Sequence, residues 1–208
     1  MTLDPIVAEY SKAAKDYDRK WSFYVEATTR ETLSRIALRP NDSVLDVGCG
    51  TGELLARLAA AHPAARLAGL DPVPEMLEVA QAKLAGKADL RLGWARELPW
   101  PAGSFDLVVS CNMFHYVRQP LAAVREMDRV LRPGGRIVIT DWCDDYLACR
   151  ICSLYLRLTG RRTYFKTYRE AECASLLREA GQEQPRIERY KISWLWGLMT
   201  AVAEKGPA

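Results

Sequence analysis

The sequence predicts an α/β fold, a largely parallel sheet with helices on both faces. Three observations predict it. Short apolar runs alternate with helix-forming stretches between residues 43 and 141, the pattern of successive βαβ units. A glycine-rich turn, Gly48-Cys49-Gly50-Thr51-Gly52, joins the first apolar run to the helix after it. An aspartate, Asp71, closes the second apolar run. Right-handed crossovers then bring the strand ends, and any ligand, to one edge of the sheet.

Residues 1–39 read as polar and helical. Tyr10, Tyr17, Trp21 and Tyr24 recur at helical spacing and fall near one face. Tyr10, Tyr17 and Trp21 either close over a ligand as a lid or pack on the sheet. Arg39-Pro40-Asn41-Asp42 ends the pattern. Ser43–Val47 is a buried strand, and Glu53–Ala61 a helix stopped by His62 and Pro63. Residues 64–70 form the second strand. Residues 74–85 form a helix that opens on Pro74 and Glu75 and ends at Gly86. Residues 90–93 are a third strand and Phe105–Cys111 a fourth. A helix over 121–131, a turn at Pro133-Gly134-Gly135 and a fifth strand over 136–141 follow. From 142 to 169 the chain is apolar, aromatic and basic, and reads as an inserted helical region. A helix over 170–180 and two strands, 186–194 and 196–203, complete it. The expectation is one domain over 1–208, comprising a helical lid (1–39), a ligand-binding core (40–141), an insert (142–169) and a C-terminal helix with strands (170–208).

Of the 208 residues, 49% are hydrophobic and 26% charged, the balance of a folded globular chain. The net charge of +3 is too small to argue for nucleic acid, so no nucleic-acid partner is expected. No apolar run reaches the roughly 18 residues of a membrane span, and residues 1–20 lack the core of a signal peptide, so a cytoplasmic location is expected. The six cysteines then read as reduced thiols. Cys149-x-x-Cys152 is half a metal site without a second pair, so no metal is expected. With Cys143, these two raise thiolate chemistry on arsenite as a minor alternative. Oligomeric state leaves no mark.

The glycine turn carries the chemistry. Glycines let the backbone approach a ligand closely, and the helix behind them favours a negative group. A dinucleotide turn spaces its glycines G-x-G-x-x-G; this one reads G-x-G-x-G, with Asp46 just before it. Asp46 can hold a cation beside glycines that receive a carboxylate, which suits an amino acid moiety. Asp71 can accept two hydrogen bonds from ribose hydroxyls, and Pro72 and Met76 can pack on a purine. A ligand with those three parts and no pyrophosphate is S-adenosylmethionine, with S-adenosylhomocysteine as its demethylated form.

On these residues the sequence resembles the class I S-adenosylmethionine-dependent methyltransferases, in the small ubiquinone- and menaquinone-biosynthesis-like (methyltransferase type 11) branch. The resemblance covers about residues 40–141. It rests on Val44-Leu45-Asp46-Val47-Gly48-Cys49-Gly50-Thr51-Gly52, Leu70-Asp71-Pro72, Leu98-Pro99-Trp100 with Ser104-Phe105-Asp106-Leu107-Val108, and Arg129-Val130-Leu131-Arg132-Pro133-Gly134-Gly135. It implies a Rossmann-like, seven-stranded sheet whose last strand is antiparallel. It also implies that an N-terminal tyrosine, Tyr17 among the candidates, closes the site. Similar proteins read Gly-Asp-Ala-Glu after the third strand, where the acid meets the adenine amino group. Here the text is Gly93-Trp94-Ala95-Arg96, so adenine is held by the Ala95 amide and the edge or face of Trp94, or binds more weakly.

The resemblance places Asn112, Met113, Phe114, His115 and Tyr116 beside the reacting methyl. His115 is the candidate base, the alternative being a packed histidine; His62, in a loop before a proline, carries no role. Asp141 and Trp142, at the end of the fifth strand, face the same edge, and Tyr116, Asp141, Trp142 and Tyr155 with His115 are the candidate substrate contacts. Residues 146–169 hold Arg150, Arg157, Arg161, Arg162, Lys166 and Arg169 and no acidic residue. Three readings stay open for that segment: arginine forks on an anionic substrate, a basic amphipathic face resting on anionic lipid as a peripheral membrane contact, or a solvated basic helix. The function expected is methyl transfer by in-line displacement to a small aromatic or apolar acceptor. The alternatives are an RNA or protein methyltransferase and a catalytically silent S-adenosylmethionine-binding partner module.

Overall fold

The computed structural model describes residues 4–159, 163–182 and 184–207. All five residues of β1 (Ser43–Val47) are buried, as a strand covered on both faces requires. Around it lie β2 (Arg66–Asp71), β3 (Ala88–Leu92), β4 (Phe105–Cys111), β5 (Leu131–Trp142), β6 (Arg186–Lys191) and β7 (Gly197–Glu204). They form one seven-stranded sheet in the order β3-β2-β1-β4-β5-β7-β6. The first five strands pair in parallel, and β7 runs antiparallel to both neighbours. The order reverses between β1 and β4, so the carboxyl ends of these two strands flank the crevice where such sheets bind ligands.

Alternate residues of each central strand feed two cores. Leu45, Val108, Ile137 and Ile139 face Val124, Met127 and Leu177, from helices α6 (Pro120–Val130) and α8 (Glu170–Glu179). Val44, Leu107, Val109 and Val138 face Leu54, Leu55, Leu58, Ala80 and Leu84, from α4 (Glu53–Ala61) and α5 (Pro74–Leu84). The period of two in the strands and near four in the helices is the pattern that the apolar runs carry. Helix α5 ends as Gly86 suggests, with Ala85 and Gly86 both left-handed at φ 50° and 81°.

Some boundaries differ from expectation. The N-terminal segment is not one helix with a single aromatic face. It is α1 (Pro5–Ala13), a 3₁₀ turn (Ala14–Asp16), α2 (Tyr17–Lys20) and α3 (Ser22–Leu33). The axis breaks at Asp16 and again at Trp21, where φ and ψ are −110° and 17°, and so the segment bends over the crevice instead of running past it. Tyr10 and Tyr17 end on the crevice side, whereas Trp21 is partly exposed. Strand β5 starts five residues early, at Leu131, because Leu131 pairs with Phe105 before the register slips, and Gly134 N–H donates to Lys205 O at 3.0 Å. Pro133-Gly134-Gly135 is therefore an irregular stretch within a strand. Strand β6 stops at Lys191, where Ile192 N–H reaches across to Trp196 O at 3.1 Å. In the insert, α7 (Leu147–Leu158) is the helix; Arg161 and Arg162 lie outside the described residues.

Gly69, inside β2, has no room for a side chain: an added Cβ stands 2.8 Å from both Cys49 Sγ and Leu90 Cδ2. Gly69→Ala is expected to lower stability by about 1–3 kcal/mol through overpacking. Urea denaturation reads this as a lower midpoint with unchanged slope; an unchanged midpoint means that the core around Cys49, Leu55 and Leu90 yields more easily than its burial implies.

Candidate active site

The glycine turn is held by backbone bonds that only its conformation permits. Gly48, Gly50 and Gly52 have φ of 79°, 51° and 77°, values that disfavour any side chain. Gly48 N–H and Cys49 N–H both donate to Leu70 O, at 2.7 and 3.0 Å, which ties the turn to the end of β2. Asp71, the next residue, accepts from Gly50 N–H on Oδ2 and from Val73 N–H on Oδ1, both at 2.9 Å. One carboxylate thus fixes the turn on one side and the start of α5 on the other.

Asp46 stands at the same strand ends, 2% exposed, and its buried Oδ1 has no hydrogen-bond partner among the described residues. Burial, reinforced by the charge of Asp71, pushes the Asp46 carboxyl up to about 7. Burial likewise raises Asp71 to about 6, against the Val73 and Gly50 amides, which pull it down. Two buried carboxylates side by side with one orphaned acceptor make a site that a cationic hydrogen-bond donor completes.

Both line a cavity of ≈ 230 Å³. Gly48 and Gly50 line it beside Asp46, and Pro72 and Met76 beside Asp71. An added Cβ at Gly50 meets nothing within 4 Å, so the missing side chain leaves open space. Trp94, Ala95 and Arg96 line it from the loop after β3, with the Arg96 guanidinium 5.3 Å from the Trp94 ring centre. Asn112 and Met113 line it from the end of β4, with Tyr116 a turn further on. The N-terminal segment supplies Tyr10 and Tyr17. Their ring centres lie 5.9 Å apart, and Tyr10 meets Tyr116 edge-on at 5.6 Å with the two hydroxyls hydrogen-bonded. Burial pushes both Tyr10 and Tyr17 well above the usual phenol range. The residues expected from sequence to hold a cofactor thus surround one cavity; Trp21 does not line it.

The expected acceptor-side residues divide. Tyr116 lines the cavity. His115 is 4% exposed and stands behind it, its ring 3.9 Å from that of Tyr116 and stacked on Trp142 at 5.1 Å. Asp141 is buried and accepts from His115 N–H at 2.8 Å on Oδ2, while its Oδ1 lies 2.7 Å from His115 Nδ1. A carboxylate at that distance fixes the ring and places the neutral histidine's proton on Nδ1. Trp142 Nε1–H donates to Tyr24 Oη at 2.6 Å, and Tyr24 Oη–H to Asn112 Oδ1 at 2.8 Å, joining α3 to the ends of β4 and β5. Tyr155 is not brought to the cavity: it sits on the outer side of α7, 65% exposed, because Cys149 and Ser153 take the inward side of that helix.

Sequence reasoning missed the residues that fasten the N-terminal segment. Thr51 Oγ1–H donates to Asp18 Oδ1 at 2.5 Å, Lys83 Nζ reaches Asp18 Oδ2 at 2.7 Å and Glu53 Oε2 at 3.1 Å, and Ser11 Oγ–H donates to Glu75 Oε2 at 2.6 Å. No spacing marks Asp18, since its partners are 33 and 65 residues away. The cysteines form no metal cluster among the described residues; burial raises the thiols of Cys143, Cys149 and Cys173.

Residues 45–139 match the methyltransferase domain family. Over that span the chain is similar to the S-adenosylmethionine-dependent methyltransferases. It is 32% identical over 173 residues to a demethylmenaquinone methyltransferase of Symbiobacterium thermophilum, covering 76% of this chain and 64% of that protein. It is 36% identical over 126 residues to the 27-O-demethylrifamycin SV methyltransferase of Amycolatopsis mediterranei, covering 56% of this chain and 46% of that protein. The matches therefore span about half to two thirds of these relatives' own length. Two solved structures share the fold. A chain in the complex between the Haloferax volcanii Trm112 methyltransferase activator and a methyltransferase superposes with a TM-score of 0.85 at 21% identity, over 99% of this chain and all of that one. A Thermotoga maritima S-adenosylmethionine-dependent methyltransferase gives 0.79 at 17% identity, over 96% and 99%. S-adenosylmethionine is the cofactor of this methyltransferase family, and the cavity's donor set fits it: an unpartnered buried carboxylate for an ammonium, open backbone at Gly50, and Asp71 at the end of β2.

Two outcomes are expected. Asp71→Ala weakens S-adenosylhomocysteine binding by about 1–3 kcal/mol, read by titration calorimetry; unchanged affinity removes Asp71 from ligand contact. The raised pKa of Asp46 means that its protonated form favours the unliganded fold, a contribution present at low pH and lost as pH rises through about 7. A bound ammonium favours the carboxylate, so binding at about pH 6 expels a proton. The binding enthalpy then varies with the buffer's ionisation enthalpy, and Asp46→Asn reduces the dependence to what Asp71 contributes. An enthalpy independent of buffer in the unaltered protein removes Asp46 from the cation-binding role.

Proposed function

We propose that this chain transfers a methyl group from S-adenosylmethionine to a small aromatic or apolar acceptor. The observation that carries the reading is one cavity that joins the glycine turn, Asp46 and Asp71 to an aromatic wall of Tyr10, Tyr17 and Tyr116. The relatives named for demethylmenaquinone and for 27-O-demethylrifamycin SV support a small acceptor. An RNA or protein acceptor draws no comparable support from the relatives' names or from the tyrosines that line the cavity.

S-adenosylmethionine, when bound, would supply a methyl on a sulfonium: the acceptor would bond to the methyl carbon in line with the breaking C–S bond, and S-adenosylhomocysteine would leave as the neutral thioether. The chain's residues bind and orient. Asp46 takes the cationic end, the glycine turn the carboxylate end, Asp71 the ribose, and Pro72, Met76, Trp94, Ala95 and Arg96 the base; Asn112 and Met113 flank the reacting end. Tyr10 and Tyr17 exclude water, which removes a competing solvent shell from the acceptor. Tyr116, which lines the cavity, presents the acceptor; His115, its ring oriented by Asp141 and packed behind Tyr116, takes the acceptor's proton on Nε2 when Tyr116 turns aside and the acceptor retains one. Trp142 keeps the imidazole plane in place by stacking. The partner that this reading needs is the acceptor alone; a peripheral membrane contact through residues 146–169 is a separate proposal with its own physical basis.

The test is transfer of labelled methyl to a panel of phenols, quinols and amines by purified protein. His115→Ala is expected to lower kcat by about 10²–10⁴-fold with less than a threefold change in S-adenosylhomocysteine affinity, and Asp141→Asn to lower kcat in the same direction. Equal loss in both quantities for His115→Ala makes the histidine a packing residue. Tight cofactor binding with no transfer to any acceptor favours the silent partner module.

A further inference from the structure

Helix α7 wears its apolar face on the outside. Cys149 and Ser153 take the inward side and are buried. Leu147, Ile151, Leu154 and Leu158 are 69%, 61%, 57% and 77% exposed. At 3.6 residues per turn these four fall within about 60° of arc, on the side opposite Cys149 and Ser153. A helix of a globular domain turns such a stripe inward, and a contiguous apolar stripe left in water marks an interaction surface.

The chemistry beside the stripe says what covers it. Arg150 and Arg157 run along one flank, both exposed, and neither forms an ion pair among the described residues. Lys166 and Arg189, by contrast, are paired with Glu172 and with Asp145 and Glu170. Residues 146–169 contain no acid that could neutralise the flank. Trp194, 83% exposed, sits in the turn between β6 and β7. That turn is held against the start of α7, where Cys149 Sγ–H meets the carbonyls of Leu195 and Gly197 at 3.8 and 3.2 Å. Lys191 lies in the same corner, 5.3 Å from the Tyr146 ring. Leucines to enter a hydrocarbon layer, a tryptophan for its boundary and unpaired arginines for its headgroups belong to one kind of surface.

We infer that the outer face of α7, with Trp194, docks the protein on an anionic phospholipid bilayer. A second copy of this chain is a poorer occupant, because a two-fold pairing brings the same unpaired arginines to the interface and no carboxylate from the segment to meet them. No helix among the described residues is long and apolar enough to cross a membrane, so the contact is peripheral. The docking face is joined to the site: after α7 the chain returns to donate Phe165 N–H and Lys166 N–H to His115 O, at 3.0 and 3.1 Å. The inference does not depend on the acceptor reading, since α7 meets lipid whether or not methyl transfer is found.

The experiment is co-sedimentation with vesicles of phosphatidylcholine alone and of phosphatidylcholine with an equal part of phosphatidylglycerol. Binding to the anionic vesicles is expected to exceed binding to the neutral ones by about tenfold or more and to fall with added salt. Leu154→Glu with Leu158→Glu should abolish it, and Arg150→Glu with Arg157→Glu should lower it about tenfold or more. All four side chains are exposed, so both variants should keep the parent's thermal transition and S-adenosylhomocysteine affinity. As a second measure on the unaltered protein, anionic vesicles should shift tryptophan emission to the blue by an amount that Trp194→Phe removes. Equal binding to both vesicles, no binding to either, or variants that bind as the parent does overturn the inference. So does a concentration-dependent dimer in sedimentation velocity that the leucine variant dissolves, which assigns the face to a second copy.

Discussion

The carboxylate of Asp71 is the joint on which the site depends. It ends β2, accepts the Gly50 amide on one oxygen and the Val73 amide on the other, and so sets the glycine turn and the head of α5 in one rigid relation. Charge-assisted bonds to backbone amides are the stronger kind, and here they work against the cost of burying the charge. The result is a carboxyl raised by burial but held down by its amides, next to Asp46, which lacks such amides and is raised further. The asymmetry assigns the tasks. Asp71 is largely satisfied by the protein, and Asp46 is left for a ligand.

The sheet order gives this joint its setting. Because β1 and β4 part at the switch point, the turn after β1 and the segment after β4 open toward each other, with Met113 filling the space in front of Gly48. The N-terminal segment then closes the top. Its bend at Asp16 and Trp21 carries Tyr10 and Tyr17 over the crevice and leaves Tyr24 to reach Asn112 and Trp142. One stretch of chain thereby lines the cavity and fastens the ends of β4 and β5 beside it.

The parts legible in the sequence are those with local causes. The glycine turn, Asp46 and Asp71 declare themselves because backbone conformation and a strand-end acid leave a fixed spacing. The central strands are legible because alternate residues feed opposite cores. Three features were not legible. The bend at Trp21 is fixed by Asp18 meeting Thr51 and Lys83, contacts that no local pattern encodes. The early start of β5 depends on the pairing of Leu131 with Phe105 and of Gly134 with Lys205, although Pro133-Gly134-Gly135 reads as a turn by itself. Tyr155 carries the same helical period as a core aromatic, and only the packing of Cys149 and Ser153 decides that it faces out.

The bonds from Asp18 to Thr51 and Lys83 lie where the N-terminal helices meet α4 and α5, and the Asp18 and Lys83 side chains keep 41% and 23% of their surface in water. They form a latch that solvent ions can reach, at the edge of the segment that covers the cavity. Where that segment lifts to release a ligand, the latch opens with it. Salt then acts on the speed of exchange more than on the depth of the well within, and the residence time of a spent cofactor becomes a property of this charged corner and not of the cradle that holds it.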